Sequence, residues 1–339
     1  MSTQTLDTDA LGRYLEQHIP GFEGPLTAEK FPGGQSNPTF KLSAGGTDYV
    51  LRRKPPGELL KSAHAVDREY RVITALADTD VPVPKTYLLC DDDDIIGSMF
   101  YIMEYKEGRI LWDPQLPEAK DNAERAGIYD AMNKTMAALH NVNVEAVGLG
   151  DYGKPGNYFE RQLSRWSKQY RASETERIED MEHLMTWLEA KMPEDDGTVG
   201  LVHGDYRLDN MMFDSDKPEV IALLDWELST LGHPLADLAN QCMAWMLPGD
   251  GRIKGLMGVD RAALGIPSDE EYIAKYCERT GRDSIDNWNF YIVFSLFRLA
   301  AIMQGIVKRA QIGTASSTDA HSSTDGVKGL SGLGAMLTD

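Results

Sequence analysis

A chain of 339 residues can bury roughly three-quarters of the surface its unfolded form exposes, and its length predicts one or two domains. Asp and Glu number 53 against 34 Lys and Arg, and the resulting formal charge of −19 opposes extended contact with nucleic acid or an anionic lipid surface, so neither is expected as a partner. Cys90, Cys242 and Cys277 are isolated and odd in number; with no basic-then-apolar leader and no run of 18 apolar residues, a cytoplasmic protein without disulfides or membrane spans is expected.

Leu11, Tyr14, Leu15 and Ile19 recur at helical spacing, which predicts a short amphipathic helix ending before Pro20 and Gly21. A hairpin follows, from Phe31 through Leu42 and from Thr47 to Arg53, with Ser43-Ala44-Gly45-Gly46 as its turn. Ahead of it, Gly33 and Gly34 allow close backbone approach, and the amides of Gln35, Ser36 and Asn37 are candidates for facing phosphates; Pro-Gly-Gly also reads as an ordinary turn. Alternation from Tyr49 to Lys54 puts Val50 and Arg52 on one face, with Lys54 two residues on. The helix expected at residues 65–73 carries Glu69, whose plain reading with Arg52 is a surface ion pair. Val81-Pro82-Val83-Pro84 bars a helix, and two apolar strands, Lys85 to Leu89 and Met99 to Met103, flank the solvated acidic run Asp91 to Asp94.

Beyond Arg109 the pattern is helical. Ile128, Met132, Met136 and Leu139 mark one helix, and others are predicted around residues 158–171, 175–191, 236–246, 269–280 and 285–310. In the last, Tyr291, Phe294, Leu299, Ile302, Met303 and Ile306 form a stripe expected to be core. The polar, low-complexity stretch from Gly313 to Gly326 predicts a mobile loop.

The chemistry is concentrated between Leu201 and Glu227. His203-Gly204-Asp205 is followed five residues later by Asn210, then by the apolar strand Val220 to Leu224 and Asp225. Phosphoryl transfer from ATP needs one group to orient and deprotonate the attacking hydroxyl, and oxygen ligands to hold magnesium against the triphosphate. Asp205 is the candidate catalytic base; Asn210 and Asp225 are the candidate ligands of Mg²⁺, a hard cation suited to oxygen donors. A lone His-x-Asp would read as a polar turn, but the Asn offset, the strand and the second Asp argue for a site.

HGDYRLDNMMF and LLDWE resemble the aminoglycoside phosphotransferase family, also called choline kinase-like, and within it the branch related to kinase domains fused to acyl-CoA dehydrogenases. The resemblance runs from about Phe31 to Gly313 and implies an α+β, bilobal, protein kinase-like fold. A small antiparallel-sheet N-lobe at residues 1–105 would bind nucleotide, and a mostly helical C-lobe at 106–339 would carry catalytic and substrate-binding groups. It further implies Arg52 where kinases usually carry Lys, with Lys54 as the other phosphate cation, Glu69 as its helix partner, and a hinge at Phe100 to Arg109 whose Glu104 and Lys106 backbone pairs with adenine. Gly204 stands where protein kinases usually have Arg, Trp226-Glu227 replaces Phe-Gly after Asp225, and no Ala-Pro-Glu follows, so a polypeptide-docking activation loop is not expected.

Asp237 lies in the first turn of a helix, where a carboxylate is favoured, and the resemblance implies that it supports the catalytic loop. His203 is read as a loop brace, His140 as structural, and Asp209 as a loop-bracing or solvated carboxylate rather than a ligand. Arg298, Lys308 and Arg309 could meet an anionic group of the acceptor or face solvent. The expected activity is transfer of the γ-phosphate of ATP to a small-molecule hydroxyl. Acceptors in view are an aminoglycoside, choline and, tilted by the resemblance, a hydroxyacyl-CoA. The rivals are a nucleotide-binding module without transfer activity, suggested by Arg52, and a metal-dependent phosphoesterase, for which the His residues are too scattered.

Overall fold

The computed structural model describes residues 6–32, 37–55, 65–251, 253–313 and 320–338. In chain order the elements are α1 (Thr8–His18), β1 (Thr27–Lys30), β2 (Thr39–Ala44), β3 (Thr47–Arg53), α2 (Val66–Ala75), β4 (Thr86–Cys90), α3 (Asp93–Ile96), β5 (Phe100–Glu104), β6 (Arg109–Ile110) and α4 (Asn122–His140). There follow α5 (Tyr158–Ser173), α6 (Glu179–Ala190), β7 (Gly200–Val202), β8 (Met211–Phe213), β9 (Val220–Leu223), β10 (Thr230–Gly232), α7 (Leu235–Trp245), α8 (Arg261–Leu264), α9 (Asp269–Thr280), α10 (Trp288–Gln311) and α11 (Ala320–Met336). They divide into two compact units: Met1–Trp112, Asn143–Leu149 and Arg207–Ser229 form the first, and Asp113–Val142, Gly150–Tyr206 and Thr230–Asp339 the second.

The first unit holds an antiparallel sheet of five strands in the order β1-β2-β3-β5-β4. Its core follows from alternation: Phe40, Leu42 and Ala44 of β2 point the same way as Tyr49 and Leu51 of β3, and Leu11 and Leu15 of α1, with Ile19 just beyond its end, cover them. Gly45 and Gly46 close the β2–β3 turn with φ of 56° and 80°, the positive pair that a two-residue hairpin requires. The opposite face of β3 presents Arg52, paired across the ladder with Tyr101 of β5. A second small sheet, β6-β8-β9, belongs to the same unit. Strand β1 leaves no mark in the sequence, because its four mostly exposed residues give no apolar alternation.

Helices make up most of the second unit, with β7 and β10 pairing as a short antiparallel ladder. Helix α10 packs against α5, α6, α7 and α11. By length and composition it could cross a membrane, but 72% of its apolar window is buried within the protein. Tyr291 and Phe294 are buried as expected, whereas Leu299, Ile302, Met303 and Ile306 are half-buried. The fully covered positions of its second half are instead Ala300, Ala301, Gly305 and Val307, with Gln304, whose amide donates to Ser173 O at 2.9 Å. Of the stretch expected to be a mobile loop, residues 314–319 lie outside the described residues, and 320–326 are corrected by α11, which continues into the buried Val327, Leu330 and Ser331. Tertiary packing, not propensity, makes a helix of a Gly- and Ser-rich segment.

Candidate active site

The first unit contains a cavity of about 660 Å³ whose lining includes Val50, Arg52, Glu69, Glu104, Lys106, Asn210 and Asp225. Seven of the residues singled out from sequence are thus brought together. Arg52 is the centre of their charge network: its Nε lies 2.7 Å from Glu69 Oε2 and its Nη2 donates to Asp225 Oδ1 at 2.7 Å. The Nε contact is off the hydrogen-bond line, so its strength is coulombic rather than directional. Burial lowers the Arg52 pKa, but Glu69, with Asp225 and Glu227 beyond it, outweighs burial and holds it above the ordinary arginine value. Glu69 is 1% exposed, and burial raises its carboxyl despite Arg52. It also accepts from Asn37 Nδ2 at 2.7 Å and from the Tyr101 hydroxyl at 3.2 Å.

Asn37 therefore spends its side chain on Glu69. Gly33, Gly34, Gln35 and Ser36 lie outside the described residues. Lys54 faces Asp67 at 3.6 Å and is not among the cavity's lining residues, unlike Arg52.

Asn210 and Asp225 stand at the ends of β8 and β9. Leu224 N donates to Asn210 O at 2.8 Å, so one backbone bond fixes the two candidate ligands' main chains together. Asp225 has φ 65°, ψ 60°, a left-handed conformation uncommon for a residue with a Cβ. The following turn is held by buried Trp226, whose indole N–H donates to Leu223 O at 2.9 Å. Asn210 and Asp225 offer the cavity one amide oxygen and one carboxylate, donors of the hardness Mg²⁺ takes alongside phosphates and waters. Among the described residues no group of three or more His, Cys, Asp or Glu stands at metal distance; a magnesium ion here would complete its shell from the nucleotide. Asp209 lines the cavity too, but Arg207 Nε donates to its Oδ1 at 2.6 Å, a loop brace.

At the end of β5, the Glu104 N–H donates to Lys85 O at 2.8 Å and the Glu104 carboxylate accepts from Lys85 N and pairs with Lys106 at 3.2 Å. Gly108, unremarked in the sequence, is required by packing: a Cβ there would lie 2.5 Å from Phe213 O and 2.6 Å from Met212 Cγ.

Asp205 belongs to the second unit. It follows β7 on a turn whose Gly204 has φ 83°, and its main chain is fixed from both sides. Asp237 accepts from His203 N at 2.6 Å and Gly204 N at 2.9 Å, and the Tyr206 hydroxyl donates to Met132 O at 2.6 Å. Asp237 is 1% exposed; burial pushes its carboxyl up, but His140, His203 and the Gly204 N–H outweigh this and hold it below the usual carboxylate range. His140 Nε2 lies 3.3 Å from Asp237, and its Nδ1 is 2.7 Å from the Tyr276 hydroxyl. Arg298, read as a possible anion contact, donates from Nη2 to Gly204 O at 2.8 Å. Tyr276 and Tyr101 were missed by sequence reasoning: each acts across more than 30 residues, and no local pattern announces such a partner.

Residues 27–284 match the model of the family described as "Phosphotransferase enzyme family". Mouse acyl-CoA dehydrogenase family member 10 is 48% identical over 323 residues, covering 95% of this chain but 30% of that protein. Human acyl-CoA dehydrogenase family member 11 is 43% identical over 98% of this chain and 43% of its own length. The chain thus spans less than half of these relatives. Among solved structures, a candidate aminoglycoside phosphotransferase from Ralstonia eutropha JMP134 has 51% identity and a TM-score of 0.91, covering 98% of both chains. Choline kinase from Cryptosporidium parvum, at 14% identity, TM-score 0.64 and coverage of 98% and 100%, shares the fold alone. The fold is the bilobal protein kinase-like one, with the antiparallel sheet and the helices as expected.

Proposed function

This chain belongs to the phosphotransferase enzyme family, and from that premise we propose that it is an ATP- and Mg²⁺-dependent kinase acting on a small-molecule hydroxyl. The observation that carries the reading is Arg52, held between Glu69 and Asp225 in a cavity that Asn210 also lines. Its guanidinium is the cation for the α- and β-phosphates, and Glu69, fixed by Asn37 and Tyr101, keeps it extended toward them. Val50 and Met103 offer apolar surface for a base, with backbone of the Glu104 to Lys106 stretch at its edge. Asn210 and Asp225 would hold magnesium, which supplies charge neutralisation of the transferring phosphoryl group. Asp205, on its braced turn, accepts the proton of the acceptor hydroxyl and aims its oxygen for in-line attack.

A hydroxyacyl-CoA is the acceptor class we favour, supported by the relatives whose names join this region to acyl-CoA dehydrogenases. The test is ADP release with Mg²⁺ across hydroxyacyl-CoAs, aminoglycosides, choline and sugars, with Asp205→Ala as control. The expected outcome is acceptor-dependent turnover that drops by about 10²- to 10⁴-fold in the variant while ATP binding persists. ATP binding without turnover on any acceptor would favour a nucleotide-binding module instead.

A further inference from the structure

In a chain with 53 acidic and 34 basic residues, one cavity inverts the balance. It has a volume of about 690 Å³, lies in the second unit beside the first half of α5, and is lined by Lys154, Arg161, Arg165 and Lys168 against the single carboxylate of Glu160. Other arginines of the second unit have carboxylate partners, as Arg171 has Glu182 and Arg279 has Asp130. Arg161 instead donates to the carbonyls of Lys154, at 2.6 Å, and Pro155, at 3.4 Å. These neutral acceptors fix the guanidinium and leave its charge uncompensated. Among the described residues, Lys154, Arg165 and Lys168 make no ion pair.

The cavity is connected to the catalytic turn through one indole. The Arg165 guanidinium lies 5.4 Å from the centroid of the Trp166 ring, and that of Arg298 lies 5.8 Å from the same ring. Arg298 in turn donates to Gly204 O, the carbonyl preceding Asp205. Tyr158 sits in the same field: burial, with Asp237, holds its phenol at about 12 against the downward pull of Arg298, Arg161 and Arg165.

We infer that Lys154, Arg161, Arg165 and Lys168 form a binding site for a phosphate group carried by the acceptor, at the end remote from the hydroxyl that Asp205 activates. The inference rests on the kinase reading and narrows it to acceptors that are already phosphate esters. One Arg satisfies a carboxylate; four cations around one space match the dianionic charge and several acceptor oxygens of phosphate groups. The adjoining cavity shares Glu160 and Lys168 with this one, and its own Glu189, Glu194, Asp195 and Asp196 repel a polyanion and confine it to the basic side.

Two phosphate sources fit this chemistry, a nucleotide-bearing thioester and a sugar phosphate. Calorimetric titration, with Mg-ADP present to fill the nucleotide site, would use CoA and glucose 6-phosphate as probes on the wild-type protein and on the double variant Arg165→Ala/Lys168→Ala. Both side chains are exposed, so the variant is expected to melt at the wild-type temperature. The expected result is binding of one probe, weakened about tenfold or more in the variant and by added salt; the probe that binds names the source. In turnover the variant should raise KM for the phosphate-bearing acceptor by a similar factor, with KM for ATP unchanged. Binding of neither probe, or binding equal in both proteins, overturns the inference. Probe binding lost in the variant, with no ADP release on any acceptor, would keep the site and remove the kinase reading instead.

Discussion

Arg52 and Glu69 form a nearly buried pair, with side chains 15% and 2% exposed. Removing one partner from such a pair leaves a charge with no water to solvate it, which costs about 3–5 kcal/mol. Arg52→Ala is therefore expected to destabilise the protein by about that amount in urea unfolding, whereas Arg52→Ala/Glu69→Gln should recover much of the stability but none of the ATP affinity. A single variant as stable as the wild type would remove Glu69 from the pair's account. Asp237 makes a prediction with a definite sign. Its folded-state pKa is below the ordinary value, so its contribution is present above the unfolded pKa and fades as pH falls through the folded one. Asp237→Asn should lose about 2–4 kcal/mol at pH 7. The gap from wild type should narrow on acidification below about pH 4, and a gap independent of pH down to acid unfolding would contradict the carboxylate's role.

At the scale of elements, Gly108 shows how a site depends on a strand it does not belong to. A methyl there collides with the backbone of Phe213 in β8, so Gly108→Ala should cost about 1–3 kcal/mol and raise KM for ATP by shifting the Glu104 to Lys106 segment. Unchanged thermal unfolding would show that β8 yields. Much at this scale was legible in the sequence. The β2–β3 hairpin announced itself through Gly45-Gly46, and Asn210 and Asp225 through a polar turn and an apolar strand. What escaped was non-local. β1 earns its place only by pairing with β2, α11 only by packing on α10 and α6, and the apparent stripe on α10 gave way because that helix is covered by several neighbours. Tyr101 and Tyr276 act through hydroxyls on carboxylate or imidazole partners distant in the chain, which no window of sequence contains.

For the whole molecule, a charge of −19 sets mutual repulsion against scattered surface ion pairs. Such pairs contribute about 0–1 kcal/mol each and are weakened by the same salt that screens the repulsion. With one sign in such excess, relief of repulsion wins. Raising ionic strength from about 0.05 to 0.5 M is expected to lift Tm by about 1–3 °C in scanning calorimetry. A fall would mean that paired charges, such as Arg171 with Glu182, matter more than the net excess.

The first unit draws on three separated stretches of the polypeptide, the last of them Arg207–Ser229. During synthesis, residues up to Trp112 emerge without β8 and β9, the strands that complete the small sheet with β6 and flank Gly108. They must wait for roughly a hundred residues more, on the order of ten seconds at about 5–20 residues per second. The first unit is thus begun early on the ribosome and finished late, exposing an incomplete small sheet to chaperones in the interval.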